Sequence, residues 1–166
     1  LVSGKAQIAA MSRPMTNEEI NQFVTRLGYP PTAVPVAVDA LAVFVHKDNP
    51  LERITIQQLD AMFSQERRRG AMESLDRWEQ LGIPGSWGKE SIHVHVRNTD
   101  SGTHQFFKDV VDLGGIDKET AIVEPGAASV VAAVMKDPYA IGYSGIGYRT
   151  SQVKPLRIAS KQEGPY

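Results

Sequence analysis

The sequence predicts an α/β fold with a largely parallel sheet or sheets. Three observations carry that expectation. Apolar-alternating stretches take turns with helix-period stretches along the chain. Two capping-box patterns, Thr16-Asn17-Glu18-Glu19 and Thr55-Ile56-Gln57-Gln58, open helical runs. Glycine or proline then closes the strongest of those runs, at Gly28, Gly114-Gly115 and Pro138.

Gln7 to Met11 is a short apolar run that reads as a buried strand, and Ser12-Arg13-Pro14-Met15 turns out of it. The first capping box opens a helix with Ile20, Phe23, Val24 and Leu27 on one side, and Tyr29-Pro30-Pro31 forbids its continuation. Val34 to Val45 reads as one long buried strand, or two short ones broken near Asp39. His46 to Pro50 is a turn. The second capping box opens a helix with Ile56, Leu59, Met62 and Phe63 inward. Ser64 to Gly88 is polar and irregular, punctuated by Trp78, Leu81, Pro84 and Trp87, and Arg67-Arg68-Arg69 within it reads as a solvated turn.

Ile92 to Val96 is apolar at alternate positions and reads as a strand. His104 to Leu113 reads as a helix with Phe106, Phe107, Val110 and Leu113 near one face. Ile122-Val123 is a short strand, Glu124-Pro125-Gly126 a turn, and Ala128 to Met135 a buried helix ended by Lys136-Asp137-Pro138. Tyr139 to Tyr143 is a strand whose Gly142 marks a close backbone approach, and Val153 to Ala159 is a last strand.

Bulk properties exclude several classes. A chain of 166 residues buries one sizeable core or two small lobes. With 18 basic and 19 acidic residues there is no basic excess to suggest nucleic acid. No apolar stretch approaches the roughly 20 residues of a membrane span. Cysteine is absent, which excludes disulfides and thiolate metal sites without fixing a compartment. Leu1-Val2-Ser3-Gly4-Lys5 carries no signal-peptide pattern, so a removed leader or a piece of a longer chain is expected.

The segment Arg97-Asn98-Thr99-Asp100-Ser101-Gly102-Thr103 joins the predicted strand at Ile92 to the helix at His104. A helix start presents unpaired N–H groups and partial positive charge. A guanidinium, two hydroxyls and a flexible glycine placed there make an oxyanion socket. The same residues also fit a simpler reading, in which Asp100 or Ser101 caps the helix and Arg97 makes a surface pair. Local sequence leaves both open.

Chain order adds a resemblance. Ile8 to Met15, Met62-Phe63-Ser64 with Trp78 downstream, Arg97-x-x-x-Ser101-Gly102-Thr103-x-x-Phe106-Phe107, and Ala140-Ile141-Gly142-Tyr143-Ser144 occur in this order. Together they resemble the phosphate-binding proteins of bacterial ABC importers, of the type II periplasmic-binding-protein fold. The resemblance implies two α/β lobes with phosphate held in the cleft between them. Residues 1–37 and 145–166 would form a partial first lobe and 38–144 the second, with chain crossings at Val38 to Leu41 and Tyr143-Ser144. The family carries an earlier strand and anion loop before the position of Leu1, and more first-lobe sequence after Tyr166, so an incomplete first lobe is expected.

Carried over position by position, the resemblance makes Arg97, Ser101, Gly102 and Thr103 second-lobe phosphate contacts and Ser12 a first-lobe contact. Some relatives carry an aspartate where this chain has Ser12 or Thr99. Phosphate at neutral pH keeps a proton that sulfate lacks, and telling them apart needs a buried acceptor, usually a carboxylate. Asp100 is the nearby carboxylate: it either buttresses Arg97 or accepts that proton, or it only caps the helix.

The resemblance implies no cofactor, inorganic phosphate as ligand, a membrane permease of an ABC importer as partner, a monomer, and a periplasmic or membrane-anchored extracytoplasmic location. The rival readings are a related module for another oxyanion such as sulfate, a sensor or adhesion domain, and a phosphatase. The enzyme reading has little local support. His93 and His95 share one strand face but have no third ligand at motif spacing, and Ser101-Gly102-Thr103-His104 is no nucleophile elbow. Trp78, Trp87, Tyr143 and Tyr148 are expected as core and hinge residues rather than a sugar-stacking set.

Overall fold

Both capping boxes form as the sequence requires. The structure, a computed structural model, describes residues 1–11 and 13–161. The chain separates into two compact units, Leu1–Val38 and Asp39–Tyr166.

The smaller unit is built on α1 (Asn17–Leu27). Thr16 Oγ1 accepts the Glu19 N–H at 3.2 Å, and the Glu19 carboxylate accepts the Thr16 N–H at 2.8 Å. Arg13 forks onto the same carboxylate with two bonds of 2.9 Å, and these bonds lower the Glu19 pKa to about 2. Gly28 ends the helix in the left-handed region at φ 78°. Phe23 is buried and meets Tyr29 edge-on at 5.7 Å.

Two expected strands are absent from this unit. Gln7 to Met11 is exposed and forms no strand, and Ile8 is 86% exposed. Val34, Val36 and Val38 are also exposed, and the predicted long strand begins only at Leu41. Pro35 removes a backbone donor between them, and no described strand lies alongside to complete a ladder. Apolar content alone does not make a strand.

The larger unit follows the predicted order closely. Its elements are β1 (Leu41–His46), β2 (Arg53–Thr55), α2 (Ile56–Phe63), a 3-10 turn (Trp78–Leu81), the short α3 (Gly85–Gly88) and β3 (His93–Arg97). Then come α4 (Gly102–Phe107), continued as a π-turn (Lys108–Asp112), β4 (Ile122–Glu124), α5 (Ala127–Lys136) and β5 (Ala140–Gly145). A second 3-10 turn (Ile146–Tyr148) leads to β6 (Val153–Pro155) and β7 (Arg157–Ala159). The predicted last strand is thus two short ones. Both lie in the larger unit, β6 against β1 and β7 against β2.

The main sheet has the order β4-β3-β5-β1-β6 and is mixed. β3 is parallel to β4 and β5, whereas β1 is antiparallel to β5 and β6. The β3–β4 pair is joined by the crossover through α4, and the connection through α5 carries the chain from β4 past β3 to β5, so all three strands run the same way. β1 is not bound by that constraint.

Side-chain alternation sends β1 to two cores. Val43 and Val45 join Leu59, Met62, Phe63, Val94, Val96, Phe107, Ile141 and Tyr143 on one face, with Trp78 fully buried among them. Ala42 and Phe44 join Val131, Val134 and Ala140 of the α5 side on the other. Gly142 is required on that second face. A Cβ there would lie 2.7 Å from Val130 Cγ1 and 3.2 Å from the His95 carbonyl oxygen. Gly142→Ala is therefore expected to destabilise the fold by about 1–3 kcal/mol, read as a lower urea midpoint with unchanged slope.

Candidate functional site

β3 is an interior strand, next to the edge strand β4, and ends at Arg97, where the chain leaves for α4. Four residues later Ser101 caps α4, its Oγ accepting the His104 N–H at 3.4 Å. The Ser101 hydroxyl proton remains available to an incoming acceptor. Gly102 and Thr103 are the first residues of α4 and are half-buried. Their N–H groups precede the first intrahelical bonds.

Arg97 is half-buried, and its Nε has no hydrogen-bond partner among the described residues. Its N–H donates to the Tyr143 hydroxyl at 3.3 Å. A buried guanidinium nitrogen without a protein acceptor fits an anion as its partner. The register places Glu124 beside Arg97, but the Glu124 carboxylate is engaged by His95 Nδ1 at 3.0 Å.

The structure thus brings Arg97, Ser101, Gly102 and Thr103 into one strand–turn–helix junction. Asp100 belongs to the same turn but is exposed, and no ion pair joins it to Arg97 among the described residues. Ser101, not Asp100, is the cap. Ser12 lies outside the described residues. His93 and His95 bond to Asp137 and Glu124 respectively, and no metal-holding group of three ligands is found among the described residues.

The helix behind the turn differs from the predicted face. Its buried residues are His104, Phe107, Lys108, Val111 and Asp112, while Phe106, Val110 and Leu113 are exposed. The reason is a set of polar groups that meet inside, in which the Asp112 carboxylate has no hydrogen-bond partner among the described residues. Asp117 accepts from His104 Nε2 at 2.8 Å and from Lys108 Nζ at 3.0 Å, and Lys108 lies 3.4 Å from Asp112. The clue in the sequence was the polar spacing 104, 108, 112, which a count of apolar residues passes over.

The arginine run also has more than a solvated role. Arg68 donates to the Leu113 carbonyl at 2.8 Å, and the Arg69 guanidinium donates to the carbonyls of Val110 and Val111. These are the carbonyls a helix end leaves unpaired. Asp60, buried on α2, holds the Arg69 N–H at 2.6 Å.

A mixed α/β sheet with this turn at the carboxyl end of an interior strand defines a class, an α/β domain with a turn suited to an oxyanion. A family model described as a PBP superfamily domain matches residues 1–162, and the chain belongs to that family. It is 45% identical over 162 residues to the phosphate-binding protein PstS of Pseudomonas aeruginosa, covering 98% of this chain and 50% of that protein. It is 29% identical over 154 residues to the protein SphX of Synechococcus elongatus, covering 88% of this chain and 41% of that one. The chain spans about half the length of the curated relatives it matches.

Among solved structures, it superposes with a TM-score of 0.77 on a candidate phosphate ABC transporter substrate-binding protein from Clostridium perfringens with bound phosphate. The identity there is 22%, with 97% of this chain and 59% of that chain covered. An ABC-type phosphate transport receptor from Vibrio cholerae gives 0.61 at 24% identity, covering 72% of this chain and 46% of that one. At these identities the likeness is one of fold.

Burial, reinforced by the carboxylates of Asp60 and Asp117, pushes the Asp112 carboxyl up to about 7 from 3.8, with Lys108 opposing. The folded state therefore holds a proton that the unfolded chain releases near pH 4. Asp112 costs no stability below that pH and an increasing amount as pH rises to about 7. Asp112→Asn is expected to gain stability relative to the unsubstituted chain between pH 5 and pH 8, measured by urea denaturation at both (about those two values).

Proposed function

We propose that this chain is part of a solute receptor that captures inorganic phosphate outside the cytoplasmic membrane and delivers it to an ABC importer. The observation that carries the proposal is the buried, unpartnered Arg97 Nε beside the start of α4. In this reading Arg97 gives charge-assisted bonds to phosphate oxygens, Ser101 and Thr103 give hydroxyl bonds, and the Gly102 and Thr103 N–H groups complete the set. Residues 38–144 supply the second lobe, on which β6 and β7 pair, and 1–37 belong to the partial first.

Relatives that are phosphate-binding proteins support phosphate as the ligand. Capture rather than catalysis is supported by the site's own chemistry. Ser101 Oγ caps the helix by accepting the His104 N–H, and no side-chain base bonds to it among the described residues. The proposed protein is a monomer that takes no cofactor and binds no nucleic acid. No helix among the described residues is long and apolar enough to cross a membrane.

Selectivity for phosphate over sulfate is assigned to Asp100. It is the carboxylate of the turn; exposed and without an ion pair to Arg97 among the described residues, it accepts the phosphate proton once the bound anion covers it.

Isothermal titration of phosphate and sulfate into the chain tests both parts. Arg97→Ala is expected to weaken phosphate binding at least about tenfold, the loss of a charge-assisted pair. Asp100→Asn is expected to narrow the phosphate-over-sulfate preference. Equal affinity for the two anions in the unsubstituted chain would favour a general oxyanion module, and release of phosphate from a phosphomonoester would favour a phosphatase.

A further inference from the structure

We propose that Tyr143 is a positioning residue for the anion turn, its hydroxyl holding the Arg97 backbone and its ring holding α4. The inference rests on the phosphate reading of that turn and extends it to a residue on a neighbouring strand.

Tyr143 lies on β5, fully buried, paired through the backbone with Val43 of β1. The β3–β5 ladder runs from His93 to His95, paired with Ala140 to Gly142. Two residues farther along β3, the Arg97 N–H finds the Tyr143 hydroxyl oxygen at 3.3 Å. The side chain thus takes over where the ladder stops. Its ring then stacks on Phe107, with centroids 4.0 Å apart and planes 7° from parallel. Phe63 backs both rings, 5.8 Å from Tyr143 and 4.9 Å from Phe107.

Arg97 is the last residue of β3 and Phe107 the last of α4. One rigid ring therefore touches both ends of the segment that carries Ser101, Gly102 and Thr103. It fixes how far the Arg97 guanidinium stands from the helix start, and a site that binds tightly needs its ligands held in advance. Burial raises the pKa of the phenol, which stays neutral and keeps its oxygen as an acceptor.

Tyr143→Phe removes the oxygen and keeps the stack. In phosphate titrations of the chain its affinity is expected to fall about three- to tenfold, the range of one lost buried hydrogen bond. The Arg97 amide is expected to exchange faster with deuterium, while the Phe44 amide in β1 is unchanged. Tyr139→Phe, whose ring packs on Trp87 away from the turn, is the matched control and should alter neither reading.

Unsubstituted affinity in Tyr143→Phe would overturn the proposal. If the unsubstituted chain gives no phosphate response, the phosphate reading itself falls. Arg97 exchange then decides the positioning role: faster exchange in Tyr143→Phe supports it, and equal exchange overturns it.

Discussion

β3 lies between two parallel neighbours, and the geometry of the anion turn follows from that placement. An interior strand has both edges paired, so its direction and register are set from both sides. Its carboxyl end is where the chain must leave the sheet. The connection through α4 leads to β4 on one side, and the next one, through α5, returns across β3 to β5 on the other. Connections that leave the adjacent strands β3 and β4 in opposite directions mark the place where ligand sites generally lie in open α/β sheets.

The helix that starts at this point is held by polar contacts as much as by apolar ones. Phe107 and Val111 reach the core, but His104 and Lys108 reach Asp117, and Asp112 is buried next to Lys108. Arg68 and Arg69 close the far end by bonding its last carbonyls. The arrangement leaves Phe106, Val110 and Leu113 facing outward and sets the rotation of α4 about its axis. That rotation in turn aims the Gly102 and Thr103 N–H groups.

Most of this was legible in the sequence where the cause is local. Thr16 with Glu19 and Thr55 with Gln58 form the predicted caps because both partners lie within one turn. Gly142 was legible as a close approach, and Val130 and His95 are what it approaches. What was not legible depends on distant partners. Val34, Val36 and Val38 look like strand residues until one asks which neighbour would pair them. The helix face at His104 escapes an apolar count because His104 and Lys108 are buried against Asp117, which lies beyond the helix. The mixed sheet arises because β1 meets β5 from far along the chain. Arg97, Ser101, Gly102 and Thr103 could be grouped from sequence because they sit in one seven-residue turn. Tyr143 could not, since it enters from 46 residues away.

The central claim is that an oxyanion is held by the β3–α4 turn. The most direct measurement is a nuclear magnetic resonance titration of the isotopically labelled chain with phosphate. The account predicts saturable shifts at the amides of Ser101, Gly102 and Thr103 and at the Arg97 Nε–H, with the β6 and β7 amides unmoved. Saturable shifts centred elsewhere, or none at these four groups while phosphate is bound, would contradict it.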